Sequence, residues 1–208
     1  MTEWKSPEKV LKVKPPPGYP PEDGRYLRGN DYSPVAVVAI LNTFDYAIPP
    51  ELERIVRITI ENGAALAGML QTENIGIEKI VANIVANPNI RYLVLCAAES
   101  EGHLPGDALK ALINNGVDKN KAIIGTRAPT AYVFNSTIPS IERFRSQVTL
   151  VDLVNETDAE IIKEAVQACY QEKPTQFGDY ELYDLGAYPE PAICRKITWR
   201  VTEPWLER

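Results

Sequence analysis

Residues 72–98 read TENIGIEKIVANIVANPNIRYLVLCAA, a stretch in which a helix period passes directly into a strand period. Ile77, Ile80, Val81, Ile84 and Val85 recur at helical spacing behind Thr72, whose hydroxyl is expected to cap the helix, and Asn87-Pro88-Asn89 ends it. Arg91 to Ala98 is then apolar on both alternating faces, as a strand covered by helices on both sides should be. A helix that runs straight into a doubly buried strand is half of a βαβ unit, so the expected fold is α/β, a three-layer domain around a mainly parallel sheet.

The pattern repeats in both directions from this unit. Upstream, Val35 to Leu41 reads as the first strand and Ala64 to Leu70 as the second. Between them Leu52, Ile55, Val56 and Thr59 keep helical spacing from Pro49-Pro50 to Asn62-Gly63, although Val56 to Ile60 also fits a strand entering a hairpin. Downstream come a helix carrying Ala108, Leu109, Leu112 and Ile113, a short strand at Ala122 to Gly125, a helix from Ile138 to Val148, a strand from Thr149 to Val154, and a helix from Asp158 to Gln171 capped near Thr157. The expected body spans 34–173. Residues 1–33 precede it with Pro7, Pro15, Pro16, Pro17, Pro20 and Pro21, and proline withholds an amide donor, so they are expected to form an extended arm on the surface, without regular structure, anchored by Tyr19 and Tyr26. Residues 174–208 crowd Tyr180, Tyr183, Tyr188, Trp199 and Trp205 around an alternating β-prone run, an appendage suited equally to a sheet edge, a partner surface or packing on the same domain.

Composition narrows the function. The chain has 208 residues with 22 Lys+Arg against 28 Asp+Glu, a formal charge of −6, and no basic block, which argues against a nucleic-acid partner. No apolar run approaches the ~20 residues of a membrane span, and the first residues lack the apolar segment of a secretory signal. Cys96, Cys169 and Cys194 are odd in number and far apart, which points to free thiols in a reducing cytoplasm.

In open α/β sheets ligands sit beyond the carboxyl ends of the strands. The loop after Ala98 runs Glu99-Ser100-Glu101-Gly102-His103-Leu104-Pro105-Gly106-Asp107 and holds the chain's only histidine. His103 is therefore the candidate metal ligand, with Glu99 and Glu101 near enough in sequence to orient its second nitrogen, while Gly102 and Gly106 would let backbone pass close to a large ligand. A capping or solvated histidine fits the same loop. One histidine and three scattered cysteines do not make a four-ligand zinc site; a metal held inside its own macrocycle needs only one axial ligand. Thr72, Glu73, Asn74 and Gly76 place a hydroxyl, a carboxylate and an amide at a helix N-terminus, suited to a polar ligand or to plain capping, and Gly125 and Thr126 offer small backbone beside Arg127. Neither a P-loop nor a G-x-G-x-x-G fingerprint is present. Cys96, in mid-strand apolar surroundings, reads as an inert core thiol rather than a nucleophile.

The ordered strings 72–84, 87–96, Glu99 and Gly102-His103 resemble the A subunit of tetrahydromethanopterin S-methyltransferase, and the resemblance extends from Gly18-Tyr19-Pro20-Pro21 through Gly63 to Gly68 as far as Val151-Asp152-Leu153. It implies a Rossmann-like domain holding a cobamide such as cobalamin, with His103 as lower axial ligand of cobalt and the neighbouring loops (Thr72, Glu73, Asn74, Gly76, Glu99, Gly102, Gly106, Gly125, Thr126) around the cofactor. It also implies a methyl carrier that works with a partner methyltransferase, His103 binding and leaving the metal as the methylation state changes. Glu101-x-His103-x-x-Gly106 is similar to the Asp-x-His-x-x-Gly string of methionine-synthase-type corrinoid domains. Membrane-bound members of the family end in a transmembrane helix, whereas this chain ends in the aromatic segment 175–208, so the resemblance implies a soluble cytoplasmic relative. Cys96-Ala97-Ala98-Glu99 also carries alanine where the family carries glycine. The reading from another class is a non-catalytic interaction or regulatory protein that keeps the fold without the cofactor.

Overall fold

The computed structural model of the chain describes residues 13–43 and 47–170, together with the backbone of Arg200–Val201. Four parallel strands, β2 (Val35–Ile40), β3 (Leu66–Leu70), β4 (Tyr92–Ala97) and β5 (Thr149–Val154), lie in the order β5-β4-β2-β3. Beyond β3 the sheet continues with β1 (Tyr26–Arg28), antiparallel to β3, and the two-residue β6 (Arg200–Val201), parallel to β1. All six residues of β2 are buried, because helices cover both sides. Ala36, Val38 and Ile40 face α2 (Ile75–Val85), α3 (Pro105–Asn115) and α4 (Ile138–Gln147), while Val35, Val37 and Ala39 face α1 (Pro50–Glu61) and α5 (Ala159–Cys169). Each fully buried Leu, Ile or Val on these faces contributes about 1.5–3 kcal/mol of hydrophobic stabilisation.

Residues 50–61 are helical, and the strand alternative for 56–60 is not taken. Leu52, Ile55, Val56, Thr59 and Ile60 share one buried face of α1, so tertiary burial at the helical period overrides the β-propensity of the Val-Arg-Ile-Thr-Ile run. Three other expectations are corrected. The arm contains a regular element after all: the chain is free of proline between Pro21 and Pro34, so Tyr26–Arg28 can pair as β1. Gly68 permits that pairing, since a Cβ there would lie 2.6 Å from Cβ of Tyr26. Asn74, not Thr72, is the N-cap of α2, its Oδ1 accepting from the Ile75 amide at 2.7 Å, and the Thr72 hydroxyl accepts one turn later from the Gly76 amide at 3.0 Å. Residues 122–125 form no strand. Ile123 and Ala122 make only isolated antiparallel bridges to Val117 and Tyr132, and Gly125 turns the chain at φ +82°, so the hydrogen bonds of this segment are spent within it and α3 leads to α4 without a strand between.

Tyr19 and Tyr26 are buried, as anchors of the arm would be. The Tyr19 hydroxyl accepts from Nδ2 of Asn87 at 3.2 Å, and the Arg28 guanidinium lies over its ring, 5.1 Å from the centroid. Apart from the backbone of β6, the expectations for residues 174–208 fall outside the described residues, as does Cys194.

The join between α2 and β4 is held by one buried amide. Nε2 of Gln147 donates to the carbonyls of Ile84, Asn87 and Ile90 at 3.0–3.1 Å. The Ile84 and Asn87 carbonyls also accept from the Asn87 and Ile90 amides, so removing Gln147 costs the buried Ile90 carbonyl its donor and weakens the other two. Gln147→Leu is expected to lower unfolding stability by about 1–3 kcal/mol in urea titrations; a loss under about 0.5 kcal/mol, typical of surface changes, would show that this amide does not hold the join.

Candidate functional site

The chain moves from β2 to β3 in one direction and then crosses back to place β4 on the other side of β2, so the loops leaving the carboxyl ends of β2 and β4 diverge. The β4–α3 loop is thrown outward by left-handed backbone at Ala97 (φ +71°), Gly102 (φ +89°) and Leu104 (φ +49°). Ala97 takes a conformation that L-residues other than Asn and Asp seldom adopt. Asn155, opening the loop after β5, steadies this turn by accepting from the Glu99 amide at 3.0 Å.

Glu99 does not orient His103. Its carboxylate accepts from the amides of Ser100 (3.0 Å), Gly106 (3.1 Å) and Asp107 (2.8 Å), and so satisfies the first turn of α3. Gly106 is required by that cap, because a Cβ at this position would meet Oε2 of Glu99 and Cδ1 of Ile40, each at 2.6 Å.

The carboxylate that holds His103 comes from the neighbouring strand end. Oε2 of Glu73, in the β3–α2 loop, lies 3.0 Å from Nδ1 of His103, thirty residues away in sequence. Its other oxygen, Oε1, accepts from the hydroxyl of Thr130. Glu73 is 1% exposed, whereas the His103 side chain is 40% exposed. Burial alone would raise the Glu73 carboxyl, but the Thr130 hydroxyl, its own backbone amide and His103 together outweigh burial and hold it below the ordinary glutamate value of 4.5. An ionised carboxylate can only accept, so Nδ1 donates, and the imidazole is fixed with Nε2 as the nitrogen directed away from Glu73. A Cβ placed on Gly102, next to the ring in sequence, would have no atom within 4 Å.

Thr130 belongs to the irregular segment 116–137, which carboxylates tie down along its length. Asp107 accepts from the Thr126 hydroxyl (2.7 Å), the Arg127 amide (2.8 Å) and the Arg127 guanidinium (3.1 Å). Glu78, buried in α2, accepts from the amide and side chain of Asn135. The same segment exposes an aromatic pair, Tyr132 and Phe134, stacked with centroids 5.0 Å apart. Of the residues singled out from sequence, Glu73 and His103 meet; Thr126 is bound to Asp107, and Gly125 packs toward Asn115. Thr72 and Gly76 line a cavity whose walls include neither Glu73 nor His103. The role of Thr130 was not legible, since nothing in its spacing marks it as the second partner of a glutamate 57 residues away.

Among the described residues no group of three or more His, Cys, Asp or Glu side chains is placed to hold a metal ion, and no helix is long and apolar enough to cross a membrane. The Cys96 thiol is pushed up to about 12 by burial and by the charge of Glu156, so it is not a thiolate nucleophile.

Asp107 gives the site a pH signature. Burial would raise its carboxyl, but the Arg127 amide, the Thr126 hydroxyl and the Arg127 guanidinium hold it below the ordinary 3.8. A carboxylate lowered in the folded state contributes stability that is complete above its unfolded pKa and is lost as pH falls through the folded value. Asp107→Asn should therefore be less stable than the parent by about 1–2 kcal/mol near neutrality, with the gap closing as pH drops below 3.8. Urea midpoints across pH 3–7 (roughly, the carboxylate range) check this; a gap independent of pH would contradict it.

Comparison with known proteins bears on this arrangement. Residues 12–183 match the MtrA family model, that of the A subunit of tetrahydromethanopterin S-methyltransferase. The A 1 subunit of this methyltransferase from Methanothermobacter marburgensis is 40% identical over 189 residues, covering 90% of this chain and 70% of the relative. The A 2 subunit from Methanothermobacter thermautotrophicus is 38% identical over 190 residues, covering 90% of this chain and 92% of the relative. The corresponding protein of Methanocaldococcus jannaschii is 38% identical over 164 residues, covering 78% and 64%. The family match over most of the chain, together with these relatives, shows that the chain belongs to the MtrA family, the A subunits of tetrahydromethanopterin S-methyltransferase.

Proposed function

We propose that this chain is a corrinoid-binding methyl carrier that works with a partner methyltransferase, and that His103 is the lower axial ligand of cobalt in a bound cobamide. The observation that carries the reading is the Glu73–His103 pair: a half-exposed imidazole whose Nδ1 is held at 3.0 Å by a buried carboxylate. That is the carboxylate–histidine arrangement that fixes a metal-binding tautomer and raises the basicity of the ligating nitrogen. It fits a metal that brings its other ligands with it, because His103 stands without a second protein ligand cluster among the described residues. Bound here, the corrinoid would supply a cobalt centre able to take up and give up a methyl group.

This chain's own residues do the positioning. Glu73 keeps the proton on Nδ1 and so directs Nε2 toward the metal; the Thr130 hydroxyl donates to the second carboxylate oxygen and holds Glu73 in this orientation. Gly102, with open space where a side chain would stand, keeps the approach to His103 clear. Glu99 and Gly106 hold the N-terminus of α3 and therefore the root of the loop. Family membership supports a role within a methyltransferase, and the exposed Tyr132–Phe134 pair, on the segment that Glu73 tethers through Thr130, gives a partner an aromatic surface beside the site. The free thiols of Cys96 and Cys169 fit a reducing cytoplasm.

Purified protein mixed with hydroxocobalamin is expected to keep a cobalamin spectrum through gel filtration. His103→Ala should lose the histidine-ligated signature, and Glu73→Gln should weaken binding by about 10- to 100-fold, as loss of an outer-shell partner does. An unchanged signature in His103→Ala would overturn the ligand assignment. Retention of no corrinoid at all would favour the non-catalytic interaction protein instead.

A further inference from the structure

A cavity of about 110 Å³ opens between β1, the sheet and α2. Leu66, Met69, Ile80 and Ile84 supply apolar wall, and Arg25 also lines it. Arg25 is 7% exposed, yet its Nη1 and Nη2 are both buried without a hydrogen-bond partner among the described residues. A guanidinium stays charged at any pH a folded protein meets and presents donors in a fixed fork, so these two nitrogens leave a buried charge unmatched. Lys79, which shares the cavity, adds positive charge and donates to the Asp23 carbonyl at 2.8 Å, and Asp23, the acid that also lines the cavity, makes no hydrogen bond to either of these Arg25 nitrogens. Buried charges in folded proteins are otherwise paired.

We propose that this cavity is a binding site for a small organic anion, whose carboxylate or phosphate-ester oxygens meet the Arg25 fork and whose apolar body lies along Ile80 and Ile84. Mostly apolar walls with a few charged and polar groups are the usual construction of a small-molecule site, and planar bidentate pairing is what Arg offers a carboxylate or phosphate. The site is separate from His103, which does not line the cavity.

Calorimetric titration of the full chain with hexanoate and hexyl phosphate, against neutral hexanamide, tests the proposal. At least one anion should bind and raise the melting temperature, with the amide weaker by about tenfold or more, the value of a charge-assisted pair. Arg25→Met should abolish anion binding without lowering the melting temperature of the unliganded chain, because it removes an uncompensated buried charge; Arg25→Lys, which keeps charge but not the fork, should bind weakly. Displacement of the anion by hydroxocobalamin would show that the oxyanion arrives on the proposed cofactor, and simultaneous binding that it belongs to a free acid; both keep Arg25 as the receptor. Equal binding of anion and amide, no binding of either anion, or full binding by Arg25→Met would overturn the proposal. The titration is run without cofactor, so it stands or falls apart from cobalt ligation by His103.

Discussion

A carboxylate removed from water keeps its charge only where donors replace the water, and Glu73, 1% exposed, is such a group. Its two oxygens are divided between two segments distant in sequence: the imidazole of the β4–α3 loop and the hydroxyl of Thr130 in the irregular connection to α4. The energetic need of one buried anion thus aligns three loops. His103 is held because Glu73 must be satisfied, and the segment bearing Tyr132 and Phe134 is drawn toward the same point for the same reason.

The sheet makes that meeting possible. Parallel strands end together at one edge, and the return of the chain across β2 sets the β3 and β4 loops on that edge. Backbone then decides which side chains can reach. Left-handed turns at Gly102 and Leu104 project His103, while Gly106, with no room for a Cβ, lets Glu99 close on the first turn of α3. Glu99 and Glu73 are both acids at the end of a strand and before a helix, yet one serves a helix terminus and the other a side chain, because Asn74 and Thr72 already cap the first amides of α2 whereas Glu99 itself caps α3.

Periodic features of the fold were legible in the amino-acid sequence. The β2 and β4 runs and the apolar stripe of α2 follow from residue spacing alone, because each is long enough for burial on one or two faces to repeat several times. The short element at 122–125 was not legible: three apolar residues and a glycine satisfy a strand pattern, but whether they join the sheet depends on neighbours that local sequence does not specify. His103 was legible as a candidate because it is the only histidine and follows a strand. Its partner was not. Sequence proximity favoured Glu99 and Glu101, whereas crossing loops at a sheet edge bring together residues thirty apart. The unmatched Arg25 was equally hidden, since an isolated arginine in a proline-rich arm carries no sign of burial.

Because the chain has one histidine, a single imidazole spin system reports on the Glu73 contact without assignment. Nitrogen-15 spectra of the histidine-labelled protein, taken in alkaline buffer where an imidazole is neutral, read its tautomer directly. The account predicts the proton on Nδ1, with the tautomer balance shifting toward Nε2 when Glu73 is replaced by glutamine. A ring protonated at Nε2 in the parent protein, and unchanged by that replacement, would contradict it.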